Sequence, residues 1–204
     1  MPLVRSAALF ACVLAFVAAG CGGAGGGGAA GATRNSATLG KFAVGNPKPA
    51  PEFALPDAAG GRVRLASLRG KVVLVTFLYT HCPDVCPLIA ANLNQALRQL
   101  GPERADVRVV AVSVDPRGDT RAAVATYRKE HHLLPQFRYL IGSKRQLAPV
   151  WRAYKVIAVS KGADLVDHVA YTMLVDQRGI TRALYPVETR PAPIVDDVRA
   201  LLAS

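Results

Sequence analysis

The chain is poor in the residues from which many kinds of site are built. Its 204 residues include four cysteines, four histidines, two methionines and one tryptophan. Acidic residues number 14 against 25 Lys and Arg, a formal net charge of +11. That excess forms no blocks: Arg62, Arg64, Arg69 and Lys71, then Arg98, Arg104, Arg108, Arg117 and Arg121, are scattered. With few aromatic residues beside them, they read as a solvated basic surface, and no nucleic-acid partner is expected. No internal repeat is present. The longest apolar run, SAALFACVLAFVAA near the N-terminus, is shorter than the roughly 20 residues that span a bilayer. Length and composition suit one globular domain with extensions better than two domains.

That apolar run follows a single positive residue, Arg5, and has the length of a secretory signal. It ends in VAAGC at Cys21, and small residues directly before a cysteine resemble the lipobox of bacterial lipoproteins, whose cysteine is acylated. Ala18 stands where that pattern usually has a bulky aliphatic residue. Residues 1–20 are therefore expected to be a signal peptide. Cys21 would carry lipid, and the domain would work on the extracytoplasmic face of a bacterial membrane. Residues 21–48, opening with GGAGGGGAAGA, are too glycine-rich to bury much surface and read as a flexible tether. About 27 such residues span roughly 30 Å root-mean-square.

The folded domain is expected over 49–204. Alternation around Gly60–Gly61 predicts a short β-hairpin. VVLVTFLY (72–79) is an unbroken apolar run of the kind found in fully buried strands. Apolar residues at helical spacing over 85–100 predict a helix, and Pro87 is tolerated only near its start. VRVVAVSVD (107–115) is a second buried strand, DTRAAVATYRKEHH a helix, FRYLIG strand-like, and SKRQLAPVWRAYKV a helix with a break or kink at Pro149. Two strands joined at Asp176–Gly179 and an amphipathic helix close the chain. Strands alternating with helices, then a hairpin and a helix, indicate an α/β fold with a mixed sheet.

Once Cys12 leaves with the signal and Cys21 is lipidated, only Cys82 and Cys86 remain, in YTHCPDVCP. They lie where the first central strand gives way to its helix, at the end of the sheet where open α/β folds place function. A helix N-terminus favours thiolate, and residues four apart share a helix face, so the two sulfurs can converge. They can close a disulfide, do redox work or grip a soft metal ion. Structural zinc needs four ligands, which the pair cannot supply. Two thiolates and an imidazole would suit copper, as Cu(I) or Cu(II). Among the histidines, His81 adjoins Cys82 and reads as polar or structural. His131 and His132 end a charged helix. His168, at the start of an apolar strand after a loop, is a candidate ligand on position alone. Asp84 is placed to orient the loop or cap a turn. Asp115 and Asp119 look like turn and N-cap residues. Met173, Trp151 and Tyr154 read as packing residues.

GKVVLVTFLYTHCPDVCP, VAVSVDPRGDT and VDHVAYTMLVDQRG together resemble the Sco/SenC family of copper-binding proteins that assist cytochrome c oxidase assembly. The resemblance covers about residues 49–204. It implies a thioredoxin-like fold, a central mixed sheet flanked by helices, with the N-terminal hairpin as an extension. It also implies copper held by Cys82, Cys86 and His168, with Asp84 and Asp115 as acidic neighbours of the ligands. The implied partners are a copper donor protein and the oxidase subunit carrying the binuclear copper site. Val169 departs from the small polar residue usual after the histidine. A thiol–disulfide oxidoreductase acting on exported cysteines is the alternative. Peroxiredoxin and thioredoxin patterns fit less well: Thr80 precedes Cys82 by two residues, not three, and no proline lies between Pro149 and Pro186.

Overall fold

The computed structural model describes residues 39–156 and 170–204, and between them the backbone of Val159–Ser160 and Val166–Asp167. The expected signal peptide, Cys21 and His168 lie outside the described residues.

Strands β1 (Ala54–Pro56) and β2 (Arg62–Arg64) form the expected hairpin, with Leu55 opposite Val63. Its turn takes Gly60 and Gly61 through φ of 118° and 72°, which a side chain would resist. β3 (Val72–Leu78) follows, then α1 (Val85–Gln99), β4 (Val107–Ser113), α2 (Arg121–Glu130), β5 (Phe137–Leu140) and α3 (Lys144–Ala153). A two-stranded ribbon, β6 (Val159–Ser160) with β7 (Val166–Asp167), leads to β8 (Tyr171–Val175), β9 (Thr181–Pro186) and α4 (Pro191–Leu202).

Five strands make the main sheet in the order β5-β4-β3-β8-β9. β3, β4 and β5 are parallel, whereas β8 runs antiparallel to both β3 and β9. The central position of β3 explains its unbroken apolar sequence. All seven of its residues are buried, and each large apolar side chain so placed contributes about 1.5–3 kcal/mol. α1 packs on α4, Tyr154 beyond α3 sits 5.3 Å from the Phe77 ring, and Tyr127 of α2 meets Tyr139 of β5 edge-on. α3 does not break at Pro149. Its flanking residues Leu147, Val150 and Trp151 are all buried, and that packing holds the helix across the missing amide donor.

Both sheet edges are covered. Residues 42–50 run beside β9, with hydrogen bonds from Val44 N–H to Arg182 O (2.9 Å) and from Thr181 N–H to Lys48 O (2.8 Å). At the other edge the hairpin meets β5 through Ile141 N–H to Pro56 O (3.0 Å) and Ala58 N–H to Tyr139 O (2.9 Å). Covered edges do not offer themselves to other chains. Among the described residues, no helix is long and apolar enough to cross a membrane.

One consequence of this topology positions the site. The parallel strands β3 and β4 both end at the same edge of the sheet. β8 begins there too, because its antiparallel register sets Thr172 opposite Thr76.

Candidate metal centre

Cys82 lies in the short loop after β3, and Cys86 is the second residue of α1. Both thiols are free and buried, with relative exposures of 8% and 0%. The backbone N–H of Cys86 donates to the sulfur of Cys82 over 3.4 Å. The two sulfurs thus converge as the spacing implied, on opposite sides of the point where the helix starts.

They are not equivalent. The Cys86 thiol hydrogen-bonds to Cys82, and the N–H groups of Asp84 and Cys86 add to this; together they outweigh burial and push the Cys82 thiol down to about 5. Cys86 moves the other way, raised well above an ordinary thiol by that same shared hydrogen bond and by its burial. The helix start does favour thiolate, but the larger cause is the second cysteine. The two directions favour the thiolate on Cys82 and the proton on Cys86.

A pH dependence follows from the two directions. Cys82 ionises more easily folded than unfolded, so its contribution is present above the ordinary thiol value of about 8.5 and lost as pH falls towards 5. Cys86 holds its proton more tightly folded, so its contribution is lost as pH rises above that value. The melting temperature of the reduced chain, minus that of the Cys82→Ala/Cys86→Ala variant, should therefore peak near pH 8–9. A difference that stays flat from pH 5 to 10 would contradict this assignment.

The residues around the pair take different parts. Asp84 precedes α1, but its carboxylate is exposed and makes no capping bond. What it offers Cys82 is its backbone N–H. His81 is exposed, and its Nδ1 lies 3.2 Å from the Thr80 hydroxyl. That hydroxyl gives its only proton to Asp119, so His81 is the donor in this contact. Asp115 accepts from the N–H of Arg117 at 3.1 Å, an ordinary Asx turn. Gly118 passes beneath both: a Cβ there would stand 2.2 Å from Asp115 Oδ2 and 3.1 Å from His81 Nδ1. Met173 sits opposite Val75, where its sulfur accepts from the Thr181 hydroxyl at 3.3 Å. Trp151 and Tyr154 are packing residues, as expected. His131 and His132 fall in the turn beyond α2.

Asp119 departs from the expectation. The N-cap of α2 is Thr120, whose hydroxyl accepts from Ala123 N–H. Asp119 is instead 4% exposed, beneath the thiol loop. Its Oδ1 accepts from the Thr80 N–H and hydroxyl, each at 2.8 Å, and its Oδ2 accepts from the Tyr139 hydroxyl at 3.1 Å. Burial pushes this carboxyl up, against the hydrogen bonds of Ser113, Thr80 and Tyr139. Among the described residues, no three His, Cys, Asp or Glu side chains gather into a metal-holding group. The thiols supply two soft donors, a set suited to Cu(I) and too small for structural zinc.

A family model described as SCO1/SenC matches residues 44–203. The chain belongs to that family. It is 37% identical to the mitochondrial protein SCO2 homolog of Bos taurus, over 94% of this chain and 74% of that protein. The copper-bound structure of Bradyrhizobium japonicum ScoI is 31% identical, with a TM-score of 0.68 over 76% of this chain and all of that one. BsSco, a member of the Sco family of cytochrome c oxidase assembly proteins in which a disulfide switch has been identified, is 27% identical. Its TM-score is 0.67, over 78% of this chain and 98% of that one. The fold of this family member is the thioredoxin-like one of those structures, a mixed sheet flanked by helices.

Proposed function

We propose that this chain is a copper metallochaperone. It binds one copper ion through the thiolates of Cys82 and Cys86 and the imidazole of His168, and delivers it to the binuclear copper site of cytochrome c oxidase during assembly. The observation that carries this reading is the free thiol pair itself: two soft donors in contact, one of them eased towards thiolate, at the start of a helix. The register supports His168 as the third ligand. The strand that follows it begins beside the end of β3, from which the thiol loop departs. Three ligands leave an ion open to exchange, which suits handing it on. In the same proposal Cys21 is lipidated, the glycine-rich residues that follow it tether the domain to the extracytoplasmic face of the membrane, and a donor protein supplies the copper.

The proton inventory gives a direct test. With Cys82 already ionised and Cys86 protonated, loading Cu(I) at neutral pH displaces the Cys86 proton: about one proton should leave per copper bound, not two. Calorimetric titration of the reduced full chain in buffers of different ionisation enthalpy reads both stoichiometries. One copper with about one proton is expected. No tight uptake would sink the chaperone reading, and release of two protons would sink the thiolate assignment.

A second reading rests on the asymmetry of the pair. A readily ionised thiol beside a more deeply buried one that keeps its proton is also the arrangement of an attacking and a resolving cysteine. On that reading the protein is a thiol–disulfide oxidoreductase acting on cysteines of an oxidase subunit or another exported protein.

A further inference from the structure

Four aspartates of the described chain are buried, and three have evident duties. Asp57 pairs with Arg138, Asp176 with Arg182, and Asp197 accepts from Gly40 N–H and the Tyr185 hydroxyl. Asp119 is the one that lies beneath the thiol loop, and like Asp197 it is held by neutral donors. The partners described above are all neutral donors: the Thr80 N–H and hydroxyl, the Tyr139 hydroxyl and the Ser113 side chain. A carboxylate buried among neutral groups is unfavourable unless its hydrogen bonds are well made. Here they join three pieces of chain. Thr80 stands at the end of β3, two residues before Cys82; Tyr139 belongs to β5; and Asp119 itself is anchored to the loop after β4 by its N–H to Asp115 O at 3.0 Å. The carboxylate therefore ties the ends of neighbouring strands together under the thiol loop. Thr80 is the only link between that tie and Cys82 among these contacts, and it is fixed through both its backbone and its side chain.

We propose that Asp119 is a positioning residue of the copper site. It acts through Thr80 to hold the loop that presents Cys82, and Tyr139 in turn orients its carboxylate. This rests on the copper reading. Neither Asp119 nor Thr80 donates to the metal. Their effect is to keep the two sulfurs at a preset separation, so that binding does not have to order the loop. Residues that orient metal ligands from behind typically change affinity by roughly 10–100-fold when removed.

Three variants of the full chain test this: Asp119→Asn, which keeps the volume but loses acceptor capacity; Thr80→Val, which loses only the hydroxyl; and Tyr139→Phe. Without metal, the Thr80 amide should exchange its hydrogen faster in Asp119→Asn than in wild type. With Cu(I) bound, Asp119→Asn and Thr80→Val should release the ion to a chelator roughly 10–100-fold faster. With Cu(II), the sulfur-to-copper absorption band should shift. Tyr139→Phe should change all three in the same direction, by less. A general loss of stability would lower the melting temperature but leave the band in place. Wild-type uptake of copper, together with variants whose release rate and band match wild type, would overturn the role of Asp119 alone. A wild-type chain that takes up no copper would overturn the underlying reading, and the positioning role with it.

Discussion

Replacing Cys86 by alanine is expected to abolish tight copper binding and, separately, to change the chemistry of Cys82. The first effect is the loss of one of two thiolates from the proposed three-ligand set. The second comes from the asymmetry of the pair. The hydrogen bond from Cys86 is the largest cause of the depressed Cys82 value of about 5. Without it, the remaining N–H donors face the burial that opposes them, and the thiol should return towards the ordinary range of about 8.5. The pH dependence of alkylation at Cys82 reads this directly as a midpoint moved upwards by units, not tenths. The fold should survive: a cysteine-to-alanine change removes a single sulfur from a fully buried position, at a cost of about 1 kcal/mol. Cys82→Ala is the complementary case. It should lose copper equally, while leaving Cys86 a buried, neutral and unreactive thiol. Retention of tight copper binding by either variant would remove the pair from the site.

How much of this was legible in the sequence depends on how local each cause is. β3 and α1 were readable because their signals are internal to them: an unbroken apolar run, and apolar residues at helical spacing behind a proline. The meeting of Cys82 and Cys86 was readable for the same reason, since four residues at a helix start share a face. Asp119 was not. Within DPRGDT it looks like turn chemistry, and its partners lie 39 residues earlier at Thr80 and 20 later at Tyr139. Only the parallel pairing of β4 with both β3 and β5 brings those three places together. A faint local signal does exist in Gly118, where a side chain would collide with Asp115. Pro149 misled in the opposite sense. The lost amide donor is visible in the sequence, but the burial of Leu147, Val150 and Trp151 that holds the helix together is not. His168 was singled out by its place before a strand and by family resemblance, and it lies outside the described residues.

His168→Ala should separate the two functional readings most sharply. Losing an imidazole ligand should weaken Cu(I) binding by more than the roughly 10–100-fold typical of residues that only support ligands. The thiols, by contrast, should be untouched. The groups that depress Cys82 are the Cys86 thiol and the N–H groups of Asp84 and Cys86, with a smaller part from Tyr79. All of them belong to the loop and the helix start. The alkylation midpoint of Cys82 should therefore stay near 5, and so should the ability of the pair to exchange with a small disulfide such as oxidised glutathione. A chaperone is then a protein in which His168→Ala loses copper delivery while keeping its thiol chemistry, and oxidase assembly should fail in cells carrying it. If oxidase assembly proceeds normally with His168→Ala but fails with Cys82→Ala, the thiols act without the metal, and the oxidoreductase reading replaces the chaperone.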